Sequence, residues 1–200
     1  IAYSIERALE SGLVESVLVS TDDEEIADIA KRYGAEVPFY RSSKNSSDFA
    51  ETVDVIIEVL GELRQVGRVY DNVCCIYPTA PFISVKNLTD SYHVLTEKNF
   101  DTVFPVCRFS SPIQRALKIE DNGKVKMMWP ENRNKRSQDL IPAYHDAGQF
   151  YWLKSVAVLS NKKIYTENSG TIILGELEVQ DIDNLVDWQL AELKYQLLNK

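Results

Sequence analysis

Residues 17–41 read VLVSTDDEEIADIAKRYGAEVPFYR. Val17, Leu18 and Val19 form the apolar heart of Val14–Ser20, which has the length and content of a short buried strand. Thr21 or Asp22 then caps a helix, with Glu24 or Glu25 reaching back to it. Acids open that helix, Lys31 and Arg32 close it and Gly34 stops it, an order that suits the helix dipole. Ala35–Tyr40 is a second, weaker strand, and Pro38 points to a sheet edge. Strand, helix and strand in succession predict an α/β fold with a parallel sheet.

The pattern extends in both directions. Upstream, Ile1, Ile5, Ala8 and Leu9 share one helical face, and Gly12 ends it. Downstream, a polar loop from Arg41 to Ser47 leads into a helix from about Asp48 to Gln65, with Val53, Ile56, Ile57 and Leu60 on its apolar side. A strand over Asn72–Tyr77 stops at Pro78-Thr79-Ala80-Pro81. A helix over Ser84–Glu97 and a strand over Asp101–Phe109 follow. This alternation predicts a mostly parallel sheet with helices on both faces, its ligands lying beyond the strand ends after Val19, Tyr40 and Tyr77. Gln114–Glu120 and Lys124–Trp129 flank Asp121-Asn122-Gly123 as a hairpin. Pro130–Tyr144 reads as loop, Gly148–Lys154 and Thr171–Leu174 as strands, and Asn184–Leu198 as a terminal amphipathic helix. The whole is one domain over residues 1–200, with an excursion at about 108–146.

Composition narrows the function. Lys plus Arg number 22 against 30 Asp plus Glu, a net charge of −8 that argues against nucleic acid as partner. No apolar run approaches the roughly 20 residues that span a bilayer, so no membrane partner is expected. The excursion differs locally: Arg108 to Arg136 holds eight basic and three acidic residues. A solvated face, an anionic ligand and a partner subunit would each account for that charge. Cys74 and Cys75 are adjacent in an apolar run and would face opposite sides of a strand. With Cys107 they read as small buried hydrophobes of a reducing, cytoplasmic compartment.

Several clusters could carry chemistry. In Val179-Gln180-Asp181-Ile182-Asp183, an extended backbone sends both aspartates to one side. Two converging carboxylates repel unless a cation lies between them, and Mg²⁺ is held by one or two carboxylates plus substrate phosphates. The alternative makes Asp183 a helix cap and Asp181 a plain exposed residue. Arg41 either grips a phosphate or carboxylate or is a solvated loop arginine. Tyr77-Pro78-Thr79-Ala80-Pro81 either presents Tyr77 and Thr79 at a cleft floor or simply ends a strand. Asp146-Ala147-Gly148-Gln149-Phe150-Tyr151 suits either a sugar-binding wall or an aromatic core strand.

Together, Val17–Arg41, the turn YPTAPF (Tyr77–Phe82), RSQDLIPAYHDAGQFYW (Arg136–Trp152) and QDIDNLVDWQLAE (Gln180–Glu192) resemble the CMP-nonulosonic acid synthetase (acylneuraminate cytidylyltransferase) family, and within it the pseudaminic acid branch. The resemblance implies a Rossmann-like nucleotidyltransferase fold and a homodimer with a small protruding dimerisation segment. It also implies a reaction in which CTP and a sugar acid give the CMP-sugar and pyrophosphate with Mg²⁺. Asp181 and Asp183 fall on the family's metal-binding aspartates, and Arg41, Ala50 and Thr52 where base and ribose are held. Tyr77 stands where sialic acid synthetases have a sugar-touching glutamine, and Asp146, Gln149 and Phe150 replace a sugar-facing sequence. Ser137 occupies the place of a carboxylate-binding arginine, which leaves Arg136 or Arg115 for the sugar carboxylate. These departures favour pseudaminate over N-acetylneuraminate; a CMP-N-acetylneuraminate or legionaminate synthetase and a catalytically silent dimer-forming domain are the rival readings. The family opens with a strand and a Gly-rich loop that cradles the triphosphate. This motif precedes anything in the present sequence, so the polypeptide as given is expected to bind CTP poorly.

Overall fold

The computed structural model describes residues 1–198. Its central feature is a five-stranded mixed sheet whose neighbours are set by apolar side chains on both faces. Strands β1 (Asn72–Ile76), β2 (Thr102–Arg108) and β7 (Ser169–Leu174) share one direction, and β5 (Tyr144–Asp146) and β6 (Phe150–Lys154) run against them. The path is β1-β6-β2-β5, with β7 on the other edge of β2. β6 lies between β1 and β2 and pairs antiparallel with both, from Ile76↔Phe150 to Asn72↔Lys154 and at Thr102↔Leu153. Among the described strands of this sheet, only β2 and β7 make an adjacent parallel pair.

The expected mostly parallel sheet is therefore corrected to a mostly antiparallel one. The helix–strand alternation placed β1 and β2 in the same direction. What it could not show is that the chain returns after the excursion and inserts a strand between them. That return is bent. Between the pairs Val103↔Trp152 and Val106↔Asp146, two residues of β2 face five of the returning chain. Gly148 sits in this bulge at φ 62°, a conformation that costs a side-chain-bearing residue. Bulges of this kind re-aim side chains beside functional sites.

Helices cover both faces. α3 (Thr52–Gln65) and α5 (Ser155–Asn161) pack Val53, Ile56, Leu60 and Val158 on Tyr151 and Leu153 of β6. α4 (Val85–Glu97), capped by the Ser84 hydroxyl on the Asn87 N–H, packs Leu88 and Leu95 on Val103, Phe150 and Trp152. Period-two alternation along β6 thus sends Phe150 and Trp152 to one layer and Tyr151 and Leu153 to the other. Cys74 and Cys75 divide in the same way between the two layers, as expected. Burial pushes the Cys75 thiol up to about 12 and raises that of Cys74 well above its ordinary value, so both are inert hydrophobes.

The opening segment forms a smaller cluster. α1 (Ala2–Glu10) and α2 (Glu24–Arg32) bury Ile5, Ala30 and Ala35 against Val17, Val19 and Val37. The strands expected over Val14–Ser20 and Ala35–Tyr40 shrink to one parallel bridge, Leu18↔Glu36. Its hydrogen bonds run from Val19 N–H to the Glu36 carbonyl and from Glu36 N–H to Val17, at 2.9 and 2.8 Å. Asp23, rather than Thr21 or Asp22, caps α2 by accepting from the Ile26 N–H. The predicted hairpin forms as β3 (Leu117–Ile119) and β4 (Val125–Met127), apart from the main sheet and largely exposed. α6 (Leu185–Leu198) closes the chain, burying Ala191 while Leu185, Trp188 and Leu193 stay exposed.

Candidate active site

Two clusters bring most of the sequence-derived candidates together. The first lies where β1 ends and α3 begins. The Thr52 and Tyr77 hydroxyls share a hydrogen bond of 3.0 Å, so a residue assigned to the nucleotide and one assigned to the sugar meet directly. The Tyr77 N–H donates to the Gln149 carbonyl at 2.8 Å, and the Ser4 hydroxyl donates to the Tyr77 carbonyl at 3.0 Å. Tyr77 is held from three directions, with its phenol aimed at the start of α3. Ala50 is fixed one turn earlier, its N–H donating to the Ser47 carbonyl.

The tyrosine cluster continues to Asp146. Tyr77 and Tyr151 contact at 5.4 Å between ring centres, and Tyr165 meets Phe104 edge-on at 4.7 Å. The Tyr151 hydroxyl donates to Asp146 Oδ2 at 2.7 Å, the Tyr165 hydroxyl donates to the same oxygen, and Oδ1 accepts from the Gly148 N–H. Asp146 therefore organises the bulge and the aromatic wall, with both oxygens engaged. Tyr165 escaped the sequence reading, because a lone tyrosine in a polar loop carries no pattern.

Burial, then the bond to Asp146 and its charge, hold the Tyr151 and Tyr165 phenols well above the ordinary value near 10. A raised acid in the folded state contributes stability that is complete below the unfolded pKa and is lost as pH rises above it. Alkaline titration followed at 295 nm is expected to leave two phenols protonated after ordinary tyrosines have ionised. Asp146→Asn, which removes the charge, brings the Tyr165 transition back toward pH 10. An unchanged curve in that variant would refute the assignment.

Gln149 and Phe150 are both buried. The Gln149 amide nitrogen donates to the Glu178 carbonyl, and its side-chain oxygen is buried with no hydrogen-bond partner among the described residues. The Phe150 ring is 0% exposed among Leu88, Leu95 and Trp152. The ring packs in the core layer beneath α4.

The second cluster surrounds Arg41. Its Nε donates to the Ser20 hydroxyl at 3.1 Å, its terminal nitrogen to the Ser20 carbonyl, and its backbone N–H to the Thr21 carbonyl at 2.8 Å. Glu58 of α3 faces the same loop. Burial raises the Glu58 carboxyl, but hydrogen bonds from Ser42 and Asn45 and the charge of Arg41 outweigh it, and the net shift is downward.

The excursion separates its two arginines. Arg136 pairs with Asp139 at 3.0 Å, whereas Arg115 makes no ion pair among the described residues and approaches the Ser137 hydroxyl at 3.5 Å.

Asp181 and Asp183 lie on the exposed link into α6. The cap of that helix is Asn184, whose Oδ1 accepts from the Val186 and Asp187 N–H groups. Asp187 reaches back to the N–H groups of Asp183 and Asn184, completing a capping box. The alternative role of Asp183 as helix cap is thereby excluded. Among the described residues, neither the Asp181 nor the Asp183 carboxylate accepts a hydrogen bond or an ion pair, and no group of three or more acidic, His or Cys side chains is placed to hold a metal. Two free carboxylates fit a hard cation that takes its remaining oxygens from substrate phosphates and water.

A sequence profile described as Cytidylyltransferase matches residues 1–197. A pseudaminic acid cytidylyltransferase of Campylobacter jejuni is 38% identical over 197 residues, covering 98% of this chain and 85% of that protein. A CMP-N,N'-diacetyllegionaminic acid synthase of Legionella pneumophila is 30% identical over 201 residues, covering 96% and 83%. Among solved structures, a CMP:2-keto-3-deoxy-manno-octonic acid synthetase complexed with CTP superposes with a TM-score of 0.65 at 13% identity. It covers 100% of this chain and 87% of that one, a likeness of fold.

Proposed function

This chain belongs to the cytidylyltransferase family, and on that premise we propose that it transfers CMP from CTP to the anomeric hydroxyl of pseudaminic acid, releasing pyrophosphate. The observation that carries the reading is Asp181 and Asp183, whose carboxylates are unpartnered among the described residues and freed from capping duty by Asn184 and Asp187. These two would hold Mg²⁺, which, when bound, neutralises phosphate charge and lowers the pKa of the attacking hydroxyl.

The remaining roles belong to the chain. The anomeric oxygen forms its bond to the α-phosphorus as the bond to the pyrophosphate oxygen breaks, and that oxygen leaves with the electron pair. The hydroxyl proton passes to solvent. Such a displacement depends on positioning and charge more than on a covalent nucleophile. Arg41, Ala50 and Thr52 border the nucleotide, and Tyr77, held by Thr52, stands at the junction of nucleotide and sugar. Arg115 is the better partner for the sugar carboxylate, because Arg136 is committed to Asp139 while Arg115 reaches the Ser137 position. Asp146 acts behind this surface by fixing Tyr151 and Tyr165.

A homodimer is part of the proposal. Ile119 and Val125 on the β3–β4 hairpin are exposed at 77% and 56%, an apolar pair that a second subunit would cover. Three free cysteines suit a reducing cytoplasm, and no described helix is long and apolar enough to cross a membrane.

The test is pyrophosphate release by the full-length protein with CTP, Mg²⁺ and separate pseudaminic, legionaminic and N-acetylneuraminic acids. The expected result is selective turnover of pseudaminate. Preference for either other acid would change the substrate, and no turnover with any of them would refute the proposal.

A further inference from the structure

We propose that Glu58 is a positioning residue for the nucleotide: from α3 its carboxylate clamps the loop that begins at Arg41. The inference rests on the reading of Arg41 as a nucleotide contact. Glu58 accepts from the Ser42 N–H at 2.8 Å, from the Ser42 hydroxyl at 2.5 Å and from the Asn45 side-chain amide. Asn45 is buried, and its amide also reaches the Asp54 carbonyl at 3.4 Å. The loop then closes on itself, with Asn45 N–H and the Ser46 hydroxyl both donating to the Ser42 carbonyl at 3.0 Å.

Few apolar contacts share this work. Ser43, Lys44, Ser47 and Asp48 are exposed, and Phe49 is 94% exposed. Polar ties from one carboxylate therefore hold the loop to α3. They act on Ser42, the residue after Arg41, so they bear directly on where the guanidinium lies. On its other side Arg41 is held by Ser20, and its charge also reaches Cys75 of β1. Glu58 and Ser20 thus fix Arg41 between the end of the Leu18–Glu36 bridge region and the α3 layer. Hydrogen bonds to an ionised carboxylate are the stronger kind, and their loss lets a loop of this composition wander.

The test is steady-state kinetics of the full-length protein. Glu58→Ala is expected to raise the KM for CTP about tenfold, with kcat and the KM for the sugar acid within about twofold. Glu58→Gln, which keeps one acceptor oxygen and turns the other into a donor, recovers only part of that loss. Should Glu58→Ala fold poorly, Ser42→Ala attacks the same clamp from the loop side, and its effect is expected to be less than additive with Glu58→Gln. Arg41→Ala serves as the reference for the underlying reading. If Arg41→Ala raises the KM for CTP and the Glu58 and Ser42 variants leave it unchanged, the clamp is overturned while the nucleotide placement stands. If Arg41→Ala leaves the KM for CTP unchanged, the nucleotide placement falls and the Glu58 proposal with it.

Discussion

Asp181→Ala and Asp183→Ala each lower the rate of pyrophosphate release by at least about a thousandfold, while the melting temperature stays within about 2 °C of the parent. The two halves of this result come from the same observation. Both carboxylates are exposed and, among the described residues, accept nothing from the protein, so the fold loses little when they go. The reaction loses a great deal, because the transferred phosphorus carries charge that the active site must neutralise during displacement. Asp187→Ala gives the opposite pattern. It breaks the capping box with Asn184, costing about 0.5–2 kcal/mol of stability, and leaves turnover within a few-fold of the parent. The contrast separates a cation site from a helix terminus within one seven-residue segment. Binding of Mn²⁺ in the presence of CTP, followed by electron paramagnetic resonance, should weaken in the first two variants and persist in the third. Near-normal turnover in both the Asp181 and Asp183 variants would refute the assignment.

The terminal segment also shows how far sequence reading reaches. Asp181 and Asp183 stand out because spacing by two is a local property of the sequence. The helices at Ala2, Glu24, Thr52, Val85 and Leu185 were legible for the same reason. The neighbour order of the sheet was not, because nothing local in Gly148–Lys154 says that it will lie between β1 and β2. Nor could Val14–Ser20 reveal that its backbone would form a single bridge, since an apolar run reads alike in a strand and in an extended segment of a small cluster. Glu58 looked like one more acid on a helix, and Tyr165 like one more loop tyrosine. Their roles arise from partners 16 and 19 residues away. Asp146 stands out by pattern, but its bonds to Tyr151 and Tyr165 do not, because they join residues that only the fold brings together.

Phe150 is where the resemblance and the packing diverge, and its replacement measures the difference. Phe150→Ala is expected to cost about 3–5 kcal/mol, since a fully enclosed ring leaves both lost transfer energy and a cavity. The cavity would open against Leu88, Leu95, Val103 and Trp152, on the layer covered by α4. Tyr151, the next residue, points to the opposite layer, where its ring meets Tyr77 and its hydroxyl donates to Asp146. Phe150→Leu keeps the position apolar with a smaller loss of volume, and lowers the urea midpoint by less than the alanine variant does. The KM for the sugar acid should then match the parent, whereas Tyr151→Phe, which withdraws a donor from Asp146, should raise it. A tenfold rise in the sugar KM for Phe150→Leu at unchanged stability would put the ring at the sugar and overturn its reading as a core residue.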